Sequence, residues 1–187
     1  MLVLVGREIM AGGKSICQHE EDNVIWRLLL PRLAKKFEGT LQLVFPKEWN
    51  EQYFSWFRII EEEDFRYELR YSFEEVAEIL EKPDLVFLFI TMDDQPQILL
   101  LGYSIPHETE ESFYLDTLAV RRRGKGIGHV VMNFLIHWAR TKQYQTIILD
   151  TELTDEKGFH LPQFYAKHGF KIVARSEAGD ITMKCVL

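Results

Sequence analysis

The segment LAVRRRGKGIGHVV, residues 118–131, sets three arginines and a lysine beside glycines at every second position, Gly124, Gly126 and Gly128. Apolar residues precede and follow, so the order reads as a strand, a tight loop and the start of a helix. The first turn of a helix has backbone N–H groups without partners and a dipole that favours an anion. Glycine lets a ligand approach the backbone, and Arg121, Arg122, Arg123 and Lys125 add positive charge. Such a loop suits a phosphate or pyrophosphate. Two phosphate-loop patterns fail on it. GxGxxG counted from Gly124 needs glycine where the chain has His129, and the nearest approach to GxxxxGK[ST], EIMAGGKS at 8–15, begins with Glu8. A third pattern, [RQ]xxGx[GA], is met by Arg123, Gly126 and Gly128.

Positioning this loop is the task of the surrounding elements. DNVIWRLLLPRLAKKF (22–37) reads as an amphipathic helix capped by Asp22 or Asn23, carrying Val24, Ile25, Leu28, Leu29 and Leu33, and interrupted at Pro31. TLQLVF (40–45) is a strand. Residues 50–65 form a helix with Tyr53, Phe54, Phe57, Ile59 and Ile60 near one face. Residues 72–83 form another, opened by the capping box Ser72/Glu75 and closed by Pro83. LVFLFITM (85–92), a polar turn DDQPQ and ILLLGYSI (98–105) read as a hairpin, with SFYLDTLAV (112–120) as the next strand. After the glycines, Ile127, Val130, Val131, Phe134, Leu135, Trp138 and Ala139 hold a helical stripe. A strand at 146–153, a short helix at 162–170 and a closing hairpin follow. The expected fold is a mixed α/β domain, a mixed β-sheet with helices, in which residues 120–146 form one parallel crossover.

Loop, strand and helix together resemble the acyl-CoA loop of the GNAT acetyltransferase superfamily. FYAKHGF (164–170) looks like that family's YxxxGF segment, and the element order from about residue 40 to 187 is similar to the family fold. The resemblance implies a GNAT-like acyl-CoA N-acyltransferase fold over 39–187, with a helical N-terminal extension over 1–38. It implies acetyl-CoA as co-substrate and a primary amine as acceptor. Backbone N–H groups of Arg123, Gly124, Lys125, Gly126, Ile127, Gly128 and His129 would hold the pyrophosphate. The backbone of Leu118, Ala119 and Val120 would bond the pantetheine arm, and the parallel strand pair would splay to admit it. Tyr165 matches the tyrosine that protonates the leaving thiolate.

An amine attacking a thioester must lose a proton, and Asp116, on the strand ahead of the loop, is the chosen base. Tyr114 shares its face by period two. His107 and Glu111 are the runners-up, while His129, His137, His160 and His168 are assigned to solvated faces. Two departures from the family pattern stand out. Only Arg121 and Arg122 separate Val120 from Arg123, and Gly158 and Leu161 replace a usual asparagine and a small residue. The alternative reading is a catalytically inactive acyl-CoA-binding regulatory module.

Composition excludes other classes. The net charge is −7 over 187 residues, which argues against a nucleic-acid binder. Glu61, Glu62, Glu63, Asp64 and Glu68 would attract a basic peptide or polyamine as acceptor. Two cysteines without CxxC spacing, Cys17 and Cys185, read as reduced thiols rather than as a metal or disulfide framework, and CQHEED (17–22) lacks paired ligand spacing. No metal is expected. No apolar run approaches the roughly 20 residues needed to span a bilayer, and the apolar N-terminus lacks a basic region and a cleavage site. A cytoplasmic location is the expectation, and a homodimer is left open.

Overall fold

The computed structural model describes residues 14–15, 20–107, 110–177 and 179–187. The readings made on residues 8–13 and on Cys17 lie outside these. The chain runs β1 (Lys14–Ser15), α1 (Glu20–Arg27), α2 (Leu30–Ala34), β2 (Leu41–Val44), β3 (Glu48–Trp49), α3 (Glu51–Asp64) and α4 (Phe73–Ile79). Then come β4 (Val86–Met92), β5 (Gln95–His107), β6 (Glu110–Val120), α5 (Ile127–Thr141), β7 (Thr146–Thr151), α6 (Leu161–Ala166), β8 (Lys171–Arg175) and β9 (Ile181–Val186). Among the described residues, seven strands form one sheet in the order β2-β4-β5-β6-β7-β9-β8. Pairing is antiparallel except between β6 and β7, which are parallel, as the α5 crossover requires.

The sheet carries a core on each face. On one, Trp26, Leu29, Leu33 and Phe37 join the buried stripe of α5, with Leu88, Ile90, Phe113 and Leu115 from the sheet. On the other, Phe57 and Ile60 of α3 and Val76 and Ile79 of α4 meet Phe87, Phe89, Leu99 and Leu101. This two-sided burial explains why β4 reads as an unbroken apolar run rather than an alternating one: all seven of its residues are buried. The capping box at Ser72 and Glu75 forms as expected, and Asn50 caps α3 by accepting from Gln52 N and Tyr53 N.

The N-terminal segment departs from expectation. Its helix starts at Glu20, so Asp22 and Asn23 lie inside it. The break falls at residues 28–29, and Pro31 instead takes the first turn of α2, where its missing N–H costs nothing. Val24 and Leu28 are 65% and 63% exposed, and Trp26 takes their place in the core. Its ring lies 5.2 Å from Phe134 and 5.8 Å from Trp138. The β4–β5 turn is shorter than the polar string DDQPQ suggested. Asp93 and Asp94, both at positive φ, make the whole turn, and Gln95, Pro96 and Gln97 already belong to β5. The short ladder between β1 and β3 has no signature in the sequence.

Candidate functional site

Gly126 is the residue that turns the strand into the helix. It sits at φ 67°, ψ 22°, the left-handed region open to glycine, and no side chain caps α5 there. The first turn of this 15-residue helix thus has no side-chain cap for its backbone N–H groups. Gly128 lies under the Phe164 ring, which a Cβ would meet at 3.3 Å. The arginines are largely committed to the protein. Arg121 donates from Nε to Glu63 Oε2 at 2.9 Å and from its guanidinium to Pro96 O at 3.1 Å. Arg122 lies 5.8 Å over the Phe37 ring, and Arg123 pairs with Asp155. Those contacts tie the arginine side chains to the protein around the loop.

Ahead of the loop, β6 carries a β-bulge. Leu101 pairs with Thr117 and Gly102 with Leu115, so Asp116 is the extra residue. Gly102 is required opposite it, because a Cβ there would stand 2.6 Å from both the Phe113 ring and Tyr114 O. The bulge resets the alternation of the strand. Phe113 and Leu115 face α5, and beyond the bulge so do Leu118 and Val120, whereas Ala119 packs on the α3 side. Pairing of β6 with β7 covers only Ser112↔Thr146, Phe113↔Ile147 and Tyr114↔Ile148. Beyond it the two strands part, and among the described residues one edge of Leu115–Val120 has no strand partner. Backbone groups on such an edge seek an external partner.

Asp116 stands at the head of this opening. Its Oδ1 accepts from Thr117 Oγ1 at 2.8 Å and its Oδ2 from the Tyr71 hydroxyl at 3.4 Å. Burial raises its pKa above the usual carboxylate value, against the lowering effect of those two hydrogen bonds. Tyr114 shares its face, yet its hydroxyl donates to Asp150 Oδ2 at 3.0 Å, across the parted strands. Thr182 holds the other oxygen of Asp150 at 2.6 Å. The Tyr103 ring packs against Tyr114 at 5.4 Å, tilted by 45°, and burial with the nearby Asp116 pushes its hydroxyl up to about 12. Two carboxylates and three tyrosines therefore line one mouth of the opening. Tyr71, Tyr103 and Asp150 carried no signal in the sequence, because each comes from a different segment and only pairing brings them together.

Tyr165, on α6, is half-buried against the core on the α5 side. Burial pushes its hydroxyl up to about 12, so it holds its proton at neutral pH. Glu111 is exposed on β6. The assignment of His129, His137, His160 and His168 to solvated faces is corrected at two positions. His129 Nδ1 lies 2.7 Å from His168 Nε2, and His168 Nδ1 lies 2.9 Å from Asn133 Oδ1. Burial and the neighbouring ring pull His168 down to about 4. This pair ties α6 to α5, and His160 caps α6 by accepting from Gln163 N.

The acidic run 61–68 is also mostly spent inside the protein. Glu63 pairs with Arg121 and Glu62 with Arg58 at 3.4 Å. Glu61 is 2% exposed. Its Oε1 accepts from Tyr71 N at 2.9 Å, which holds the segment that presents the Tyr71 hydroxyl to Asp116. Its Oε2 has no hydrogen bond, the Arg58 guanidinium standing 3.9 Å away. Desolvation dominates and raises Glu61 from 4.5 to about 7. Stability from its protonation is thus fully present below the unfolded value and lost as pH rises through about 7. Glu61→Gln, which keeps the acceptor oxygen, is expected to match the wild type near about pH 4.5 and to exceed it above about pH 8 by on the order of 2 kcal/mol. Denaturant unfolding of both proteins across pH measures this, and parallel curves would show Glu61 titrating normally.

Comparison with known proteins identifies the fold and the class. A model of the Acetyltransferase (GNAT) family matches residues 47–170. The chain belongs to this family. Among solved structures it is similar to a chain of the NatC complex bound to Gag peptide and CoA, at 18% identity and TM-score 0.64, over 81% of this chain and 99% of that one. The ribosomal-protein-S18-alanine N-acetyltransferase from Escherichia coli aligns at 13% identity and TM-score 0.60, over 79% and 94%. Aminoglycoside 6'-acetyltransferase type Ii aligns at 24% identity and TM-score 0.57, over 79% and 96%. These neighbours share the mixed-sheet GNAT fold, the fold class expected from the sequence. No curated protein matches the chain. Among the described residues, no helix is long and apolar enough to cross a membrane, and no group of three or more His, Cys, Asp or Glu could hold a metal ion.

Proposed function

We propose that the protein is an acetyl-CoA-dependent N-acetyltransferase whose acceptor is a cationic primary amine. The observation that carries this reading is the parting of β6 from β7 beyond Tyr114 and Ile148, between an uncapped glycine loop and a half-buried carboxylate at a bulge. The backbone from Arg123 to His129 would hold the pyrophosphate of acetyl-CoA, and the free edge at Leu118, Ala119 and Val120 would take the pantetheine arm like an added strand. Acetyl-CoA supplies the thioester.

The protein's part is to orient the amine and to move two protons. The acceptor enters from the side of Tyr71, Tyr103 and Tyr114, where Asp116 and Asp150 attract its positive charge and ring faces accommodate it. Asp116 takes a proton from the attacking nitrogen, and its raised affinity for protons suits that role. The ammonium gives its first proton to solvent, and Asp116 takes the second as the C–N bond forms. As the C–S bond breaks, Tyr165 gives its proton to the departing sulfur and regains one, through solvent, from Asp116, so one proton is released per turnover. A backbone N–H on the free edge of β6 stabilises the oxyanion.

The test is thiol release from acetyl-CoA in the presence of an amine panel: peptides with free N-termini, peptides with lysine side chains, and polyamines. Acceptor-dependent release identifies the enzyme and its substrate. Tight acetyl-CoA binding with no release for any amine would favour a binding module instead.

A further inference from the structure

The N-terminal helices reach the glycine loop. Lys36, two residues past α2, donates from Nζ to Lys125 O at 2.7 Å. Its ammonium lies 3.5 Å from where a Cβ on Gly126 would stand. The next residue, Phe37, is buried in the core with Trp26, Leu29 and Leu33, and its ring supports the Arg122 guanidinium. The main chain at Lys36 is therefore anchored by its neighbour, and the side chain is aimed at the loop. Arg121 and Arg123 have carboxylate partners, Glu63 and Asp155. Among the described residues, Lys36 makes no ion pair and its one hydrogen bond is to a neutral carbonyl. An ammonium has three donors, so two stay open beside the place where the loop presents its backbone N–H groups.

We infer that Lys36 is a phosphate-binding residue of the acetyl-CoA site, supplied by a helical segment that lies ahead of the family region at 47–170. This rests on the acetyl-CoA reading above. A phosphate on the loop would meet the backbone of Gly126 and Gly128 and, from the opposite wall, the Lys36 ammonium. A charge-assisted hydrogen bond of that kind is about twice as strong as a neutral one. The N-terminal helices would thus be part of the cofactor site as well as of the core.

Calorimetry with two ligands tests it: acetyl-CoA, and S-acetylpantetheine, which has the thioester and the arm but no phosphate. Lys36→Met keeps most of the aliphatic stem and is expected to lose about tenfold in affinity for acetyl-CoA. Its affinity for S-acetylpantetheine should match the wild type, and Lys36→Arg should keep most of the acetyl-CoA affinity. The salt dependence of acetyl-CoA binding should also weaken in Lys36→Met. Equal acetyl-CoA affinity in wild type and Lys36→Met would overturn the assignment and leave the cofactor reading standing. Equal losses for both ligands would overturn it too, showing that Lys36 only shapes the loop through Lys125 O. A wild type that binds no acetyl-CoA would instead bring down the cofactor reading itself.

Discussion

Replacing Gly126 by glutamate is expected to weaken acetyl-CoA binding about a hundredfold, near 2.7 kcal/mol. Two causes add. The residue sits at φ 67°, which costs a residue with a side chain roughly 1 kcal/mol or more. The new carboxylate would also project toward the Lys36 ammonium, 3.5 Å from the Cβ position, removing a positive charge from the cradle and setting a negative one against the phosphates. Gly126→Ala separates the two causes, since it carries the strain without the charge, and is expected to lose about tenfold or less. Calorimetry reads both. Wild-type affinity in Gly126→Glu would show that the pyrophosphate does not rest on this loop.

The second large effect is on turnover. Asp116→Asn is expected to lower kcat by about a hundredfold or more while leaving acetyl-CoA affinity unchanged. Asparagine keeps one of the two oxygens that accept from the Tyr71 and Thr117 hydroxyls and offers its amide N–H to the other hydroxyl oxygen, so the bulge and its surroundings persist, but it takes up no proton. The pH profile strengthens the test. Burial raises the Asp116 pKa, and the proposed mechanism uses the carboxylate, so kcat/KM should rise as pH climbs through that raised value. The rising limb should vanish in Asp116→Asn. Tyr165→Phe should also lower kcat, by roughly tenfold to a hundredfold, yet keep the rising limb, because it removes the donor and not the base. Unchanged turnover in Asp116→Asn would take Asp116 out of the reaction.

Legibility in the sequence followed the range of the interaction. The α5 stripe was plain because seven apolar positions repeat at helical spacing on one element, and each of them packs against the core. The capping box at Ser72 and the strand at 41–44 were equally local. The first helix misled, since hydrophobicity alone nominated Val24 and Leu28, whereas the packing of Trp26 against Phe134 and Trp138 sets which face turns inward. His129 and His168 were misplaced for the same reason. They are 39 residues apart, and only the docking of α6 on α5 makes them partners.

By itself the sequence determined the alternation of strands and helices, the parallel crossover and the glycine loop at the head of its helix. These follow from side-chain periodicity and from backbone conformations that few residues besides glycine adopt. The tertiary structure alone decided where β6 bulges and leaves β7, which tyrosine reaches Asp116, and which lysine faces the loop. Those outcomes depend on register and on contacts between residues 45 and 89 positions apart, and no local pattern encodes them. The bulge is the clearest instance. One extra residue in β6 opposite Gly102 resets the alternation of the strand, and Asp116 sits at that extra position, at the head of the opening between the strands.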